Sequence, residues 1–383
     1  SRIIVATGIF PPAIGGPATY TQFLMDYEQD IGIYPTIVVT YGDEKTKDWD
    51  GKVCVVSNSL PKGIRHIAYR KKLLEHVRVG DIIYAVDSSL GVAGIVQNVA
   101  AKVDAMCIVR VTGDYAWEQS RQRFGVREDI DAFQTRRYGT VVETFRSTVH
   151  RAIQKADWVI VPSEYLKKLA MGWGVDAKRI TVISNPVTVY PLPSDSREKA
   201  RSTLNVRDKK VIISSGRFVP WKGFQELIQI FPSIKNEIKN AELVLIGDGP
   251  DQALLHKEAE KSEAREAIRF TGSLKKQELI EWLSAADLFV LNSSYEGLSH
   301  QLIEAVGGFG LPAVVRDIGG NAEVQKEFSD KIILIPASQS DELKNAIVSI
   351  LEKNIIPMPP MKKAGKFSHA SVVEKLSEFF KKI

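Results

Sequence analysis

Short, uninterrupted apolar runs rich in Ile and Val recur along the whole chain, and stretches with helical spacing of apolar residues separate them. In the first half the runs are IIVAT, TIVVT, VCVV, IIYAV, MCIVRV, WVIV and ITVI, and between them lie helical patterns such as IRHIAYRKKLLEHV and LGVAGIVQNVAAKV. A strand that shows no polar face must be covered on both faces, and strands that alternate with helices point to a parallel, doubly wound sheet. The pattern restarts after residue 196 with VIISSG, ELVLIG, IRFTG, DLFVL and PAVVR, and 383 residues suffice for two such domains, each with its own core. The fold class expected is therefore α/β, with two Rossmann-like domains built on one plan. In such sheets ligands bind beyond the carboxyl ends of the strands, so the residues just after each run are the ones to examine; Asp87, after IIYAV, is one of them.

The stretch Ser293–Glu323, SSYEGLSHQLIEAVGGFGLPAVVRDIGGNAE, carries the densest chemistry. DLFVL ahead of it reads as a buried strand, the chain breaks at Glu296-Gly297, and Leu302, Ile303 and Val306 then keep helical spacing. Ser299 is the expected N-cap, and backbone N–H groups around Gly297, Leu298, Ser299 and His300 would favour an anion at that turn. Glu304 falls one to two turns into the helix, which would set it about 8–12 Å from Glu296 at about 1.5 Å per residue, within reach of one extended ligand. A solvated helix face could also hold two glutamates eight apart, but not the flanking glycines, Pro312 and Glu323 with them. Ahead of it, VIISSGRFVPWKGFQELI places Arg217 and Lys222 in a strand-to-helix loop beside Gly216 and Gly223, a pairing suited to a diphosphate. Near the start, FPPAIGGP puts Pro11, Pro12, Gly15 and Gly16 between a strand and a helix, where glycine could admit a phosphate or serve tight packing alone.

Taken together, Glu-Gly followed by Glu-Ala, Gly-Leu-Pro-Ala-Val-Val, Gly-Gly-Asn-Ala-Glu and Gly-Arg-x4-Lys-Gly resemble the donor site of retaining GT-B glycosyltransferases, family 4 above all. The resemblance implies a GT-B fold: two Rossmann-like doubly wound domains facing a central cleft, with a C-terminal helix crossing back to the first. It places an acceptor-side domain at 1–190 with the helix 367–383, a donor domain at 196–354, and YPLPSDS as linker. It implies transfer of a sugar, with retention, from a nucleotide-sugar such as a UDP- or GDP-sugar to a glycan, a lipid-linked acceptor or another hydroxyl. Arg217 and Lys222 would stabilise the leaving diphosphate, Glu304 the ribose and Glu296 the sugar, with Gly15, Gly16, Gly297, Leu298 and Ser299 on the donor. The family's sugar-contacting histidine is missing from the first domain. Asp114 or Thr112 occupies its place, with a turn or cap role for Asp114 as the alternative.

Six histidines lie scattered and no ligand cluster stands out, so neither metal nor other cofactor is expected. The polar stretch 116–142, AWEQSRQRFGVREDIDAFQTRRYGTVV, interrupts the alternation and suggests either an acceptor-binding loop or a surface excursion. A net charge of +5, with 24 basic and 20 acidic residues in 1–190, is too mild for a nucleic-acid binder but suits anionic substrates or an anionic membrane surface. The helix IRHIAYRKKLLEHVRVG interleaves Ile64, Ile67, Ala68, Leu73, Leu74 and Val77 with Arg65, Arg70, Lys71, Lys72 and Arg78. It is the candidate for peripheral contact with the inner face of a membrane, as against ordinary packing with solvated charges. RIIVATGIF carries no leader pattern and no apolar run approaches the roughly 18–20 residues of a membrane span, which sets the expected location as cytoplasmic. Cys54 and Cys107 both lie in apolar runs and read as small buried hydrophobes.

Three alternatives share parts of this pattern. A two-domain Rossmann oxidoreductase would want Gly-x-Gly-x-x-Gly and an acid about twenty residues on, where Ile37–Thr40 offer none. A sugar-nucleotide epimerase of the same fold matches the motifs less well. A non-catalytic sugar-nucleotide-binding homologue would have no need of intact Glu296, Glu304, Arg217 and Lys222.

Overall fold

The computed structural model describes residues 2–13, 15–33, 35–46, 48–187, 193, 195–337, 339–353 and 365–383. The chain divides into two units, Ser1–Asn185 with Ala370–Ile383, and Pro186–His369. Most of YPLPSDS and all of the proline-rich stretch 355–360 lie outside the described residues.

In the first unit seven strands, β1 (Ile3–Thr7), β2 (Pro35–Gly42), β3 (Val53–Ser57), β4 (Ile82–Ala85), β5 (Met106–Arg110), β6 (Trp158–Val161) and β7 (Ile180–Val182), form one sheet in the order β3-β2-β1-β4-β5-β6-β7. Every pairing in it is parallel. The order reverses between β1 and β4, so the crevice of this sheet opens at their carboxyl ends. One face packs Val5, Tyr84, Ile108 and Ile160 against Phe23 and Leu24 of the helix Gly16–Asp26. Val372, Leu376 and Phe379 of the C-terminal helix His369–Lys382 complete that core, so the last helix belongs to the first unit.

The second unit repeats the plan with β8 (Lys210–Ser215), β9 (Ala241–Ile246), β10 (Ile268–Gly272), β11 (Leu288–Leu291), β12 (Ala313–Arg316) and β13 (Ile332–Ile335), ordered β10-β9-β8-β11-β12-β13. Successive side chains of a strand face opposite ways, and both faces are buried here. Val211, Ile213, Val244, Phe289 and Val315 enter one core, while Ile212, Leu243, Leu245, Val290 and Val314 enter the other. That double burial is why the strands read as unbroken apolar runs. The switch point of this sheet lies between β8 and β11.

Two expectations change. Residues 116–142 are not an extended loop: they contain the helices Tyr115–Arg123 and Ile130–Thr135 and lead into Thr140–Gln154. Trp117 and Phe133 are fully buried, and Trp117 donates its indole N–H to the Glu128 carbonyl at 3.0 Å, so apolar anchors hold a segment whose arginines suggested solvent. Cys107 is buried as expected, whereas Cys54 is only half-buried, with its Sγ 3.3 Å from His76 Nε2.

Candidate active site

At the switch point of the second unit, the loops after β8 and β11 bring two charged side chains together. The β8 loop bears Gly216, the exposed Arg217 and a short turn, Pro220–Lys222. The β11 loop bears Asn292, Ser293 and Glu296. Lys222 Nζ lies 2.6 Å from Glu296 Oε1, and Ser293 Oγ donates to the same oxygen at 2.6 Å. Both partners are largely buried, with side-chain exposures of 13% for Lys222 and 8% for Glu296. An ion pair so withdrawn from water attracts more strongly than a surface pair but must offset the desolvation of both charges, and it is costly to break from one side. Arg217 makes no hydrogen bond or ion pair among the described residues, which leaves its guanidinium available at the mouth of the loop.

Backbone contacts fix these loops in place. Gly320 N–H donates to the Glu296 carbonyl at 3.0 Å, and a Cβ on Gly319, whose φ is +53°, would sit 1.9 Å from that oxygen. The Gly-Gly turn after β12 is therefore pressed against the Glu296 backbone. Gly223 has φ +68°, and a Cβ there would come within 2.1 Å of the Asn292 carbonyl oxygen. Gly223 is thus required by packing against Asn292; the sequence had suggested an approach to a diphosphate.

Ser299 caps the helix His300–Ile303, accepting from Leu302 N–H at 3.2 Å, as its position in the sequence predicts. The helix does not continue regularly: Glu304–Gly308 form a π-turn, with the half-buried Glu304 at its first position. π-turns recur at functional sites because they re-aim side chains. Gly297 and Leu298 lie in the loop just before the cap.

In the first unit Asp114 is 1% exposed and caps the helix Tyr115–Arg123. One oxygen accepts from Trp117 N–H at 3.0 Å and the other from Gln134 Nε2 at 2.9 Å, with His150 Nε2 3.9 Å away. Thr112 is exposed. Gly15 caps the helix Gly16–Asp26, and a Cβ on it would meet Ile9 Cδ1 at 2.7 Å. At this unit's own switch point, Asp87 Oδ1 accepts from Ser89 N–H at 2.6 Å, and Gly8 leaves room for Oδ2, which a Cβ there would approach to 2.4 Å. Burial pushes the Asp87 carboxyl above the usual range, against the hydrogen bonds from Ser89 and Gly8.

No group of three His, Cys, Asp or Glu side chains able to hold a metal occurs among the described residues. Two Asp-x-Asp pairs, Asp48/Asp50 and Asp129/Asp131, are present in the sequence. Asp48 is taken up by the N–H groups of Trp49 and Gly51, and Asp129 by that of Ala132, all local turn and cap bonds.

Residues 195–368, which contain this whole loop cluster, match the family described as glycosyl transferases group 1. The match runs through nearly all of the second unit, Pro186–His369. Among similar proteins, the lipopolysaccharide core biosynthesis glycosyltransferase LpsD of Rhizobium meliloti (strain 1021) is 31% identical over 221 residues, 57% of this chain and 59% of that protein. The alpha-monoglucosyldiacylglycerol synthase of Streptococcus pneumoniae (strain ATCC BAA-255 / R6) is 26% identical over 204 residues, 52% of this chain and 45% of that protein. The chain thus spans about half the length of these curated relatives. The crystal structure of Anabaena Alr3699/HepE in complex with UDP-glucose superposes with a TM-score of 0.76 over all of both chains, at 18% identity, which shows the fold. That fold is the α/β GT-B architecture of two parallel-sheet, Rossmann-like domains.

Sequence reasoning named Lys222, Arg217, Glu296 and Glu304 but missed what holds them. Asn292, Ser293, Glu226 and Arg316 were given no role, although an arginine closing the apolar run PAVVR was a visible signal of a buried charge.

Proposed function

We propose that the chain is a glycosyltransferase that moves a sugar, with retention and without a metal, from a nucleotide-sugar to a hydroxyl acceptor. The observation that carries this is the meeting of Lys222 and Glu296 at the β8/β11 switch point, inside the span that matches the family. Lys222 and Arg217 would face the leaving diphosphate, where a fixed cation acts on the charge that develops in the transition state. Glu296, with Ser293 behind it, would accept from hydroxyls of the donor sugar. A single ionised carboxylate at Glu304 suits the two donors of a ribose. Gly297, Leu298 and Ser299 would line the donor from the capped turn. Asp114 is already engaged as a cap, which favours Thr112 as the group available to a ligand. Asp87, at the first unit's own switch point, would be a candidate for a ligand hydroxyl bound to that unit. The relatives named for lipopolysaccharide core biosynthesis and for alpha-monoglucosyldiacylglycerol synthesis favour a glycan or lipid-borne acceptor.

The reading is tested by transfer from a panel of UDP-, GDP- and ADP-sugars to an envelope lipid and glycan extract in EDTA, with the product's anomeric coupling read by NMR. The expected product keeps the donor's anomeric configuration at full rate in chelator. An inverted product would overturn retention, and a loss in EDTA restored by magnesium would overturn the metal-free reaction.

Glu304→Ala is expected to weaken nucleoside diphosphate binding, whereas Glu296→Ala should leave it and slow transfer. Calorimetry with the nucleoside diphosphate and with the intact donor separates the two. Nucleotide affinity within twofold of wild type in Glu304→Ala would remove the ribose assignment.

The helix Lys62–His76 supports contact with an anionic bilayer. Tyr69, Leu73 and Val77 are buried, whereas Ile64 and Ile67 are 55% and 71% exposed beside the exposed Arg70 and Lys71. The apolar residues therefore split between core and surface, where the sequence suggested one stripe. No helix among the described residues is long and apolar enough to cross a membrane. Basic residues near an anionic bilayer contribute about 1 kcal/mol each. Wild-type protein should co-sediment with anionic but not neutral vesicles at low salt, and a variant with Arg70, Lys71 and Lys72 changed to Ser should not. Equal partitioning of the two proteins would remove the membrane contact.

A further inference from the structure

We propose that Arg316 is a positioning residue for Lys222, acting through Asn292 and Glu226 to hold the Lys222–Gly223 turn against the Glu296 loop. The relevance of this device to sugar transfer rests on the function proposed above; the device itself rests on geometry. Arg316 closes β12 and is 2% exposed. Its guanidinium is bonded in three directions. Nε donates to Asn292 Oδ1 at 2.7 Å, Nη2 to Glu226 Oε1 at 2.7 Å, and Nη1 to the carbonyls of Pro336 at 2.7 Å and Gln339 at 3.1 Å. Asn292 then turns its amide nitrogen to the Gly223 carbonyl at 3.0 Å and to Glu226 Oε2 at 2.9 Å. One buried charge thereby joins the end of β11, the turn that follows Lys222, the helix Phe224–Glu237 and the exit of β13.

The orientation of Asn292 is the decisive link. Its amide has an accepting oxygen and a donating nitrogen, and the Gly223 carbonyl tolerates only the nitrogen. Because Arg316 can only donate, it fixes the oxygen toward itself and so the nitrogen toward Gly223. Without that donor the amide loses the bond that anchors its oxygen and keeps only those from its nitrogen to Gly223 and to Glu226, a carboxylate that Arg316 also holds. Glu226 stays ionised in this setting: burial works against its charge, but the hydrogen bonds from Ser340, Asn292 and Arg316, with the Arg316 charge, hold its carboxyl below the usual range. Gly223 completes the coupling, since its Cα lies against the Asn292 carbonyl where no side chain would fit. Asn292 is four residues before Glu296 and Gly223 immediately follows Lys222, so a shift between them is a shift between the paired charges. An Arg–carboxylate pair that served stability alone would be replaceable by apolar groups at little cost; this one also sets the direction of a third side chain.

The test is competitive reductive methylation of the full-length protein, with labelling of each lysine read by mass spectrometry. Lys222, paired and largely buried, should label slowly in wild type. In Arg316→Ala and in Asn292→Ala it should label about tenfold faster, a change matching the coupling of neighbours in one network. Lys235 and Lys344, elsewhere in the same unit, should change less than twofold. Arg316→Lys, which keeps the charge but not the planar fork, should fall between wild type and Arg316→Ala. Arg197→Ala is the stability control, because it removes an ion pair to Asp287 in the same unit, outside the Lys222 loop. Should Arg316→Ala not fold, Asn292→Ala decides. Lys222 labelling within twofold of wild type in the folded variant, or an equal rise in Arg197→Ala, overturns the proposal. Nucleotide titration of the same proteins keeps the two ideas apart: exposure of Lys222 in Arg316→Ala with no nucleotide binding by wild type would support the positioning role and overturn the transferase reading.

Discussion

Lys222→Ala is expected to lower sugar transfer by about 10²-fold or more, the scale of losing one preorganised charge stabiliser. It should also destabilise the second unit by about 3–5 kcal/mol, because Glu296 is left as a buried charge without its cation. The Ser293 hydroxyl remains on Glu296 Oε1 but carries no charge. Arg217→Ala provides the contrast: the residue is exposed and makes no ion pair among the described residues, so its loss should slow transfer to a similar degree with little change in stability. Steady-state rates at saturating donor, read beside denaturant unfolding, separate the two effects. A Lys222→Ala enzyme with more than a tenth of wild-type rate would contradict the role given to the ion pair.

Gly319→Ala should have the second-largest effect, and for a reason unrelated to charge. The residue holds a left-handed backbone that costs a non-glycine residue about 1–2 kcal/mol. In addition, the new Cβ would sit 1.9 Å from the Glu296 carbonyl oxygen, so the Glu296 loop must move, at about 1–3 kcal/mol more. Gly51→Ala is the control, with φ +73° and no atom within 4 Å of the added carbon, so only the backbone cost should appear. Loss of donor binding in Gly319→Ala but not in Gly51→Ala is the expected pattern. Equal stability losses in the two variants would mean that the turn does not press on the Glu296 loop.

The strands were legible because both faces of each sheet are covered, which removes the polar alternation that hides strands elsewhere. β13 escaped notice: Ile332–Ile335 is only four residues long, and Ile333 and Leu334 are not fully covered, so the run carries a weaker signal than its neighbours although Ser329-Asp330 and Pro336 bound it. Residues 116–142 were misread because their polarity follows the outer faces of short helices, while Trp117 and Phe133 do the anchoring. At the site, Ser299 and the Gly-Gly turn could be read from local rules of capping and backbone conformation. The contact between Lys222 and Glu296 could not, since the residues lie 74 apart and only the β8-β11 adjacency joins them. Arg316 and Glu226 are 90 residues apart and belong to no motif, so their link is visible only once β12 is in place beside β11.

The central claim is that the loop cluster at the β8/β11 switch point holds the nucleoside diphosphate of a sugar donor. Thermal unfolding with UDP, GDP and ADP, each with and without its sugar, tests it most directly. A ligand at a hundred times its dissociation constant adds about 2.7 kcal/mol of stability. One nucleoside diphosphate is expected to raise the midpoint by several degrees in EDTA, and Glu304→Ala should reduce the rise at the same concentration. No shift with any nucleotide, or an undiminished shift in Glu304→Ala, would contradict the account.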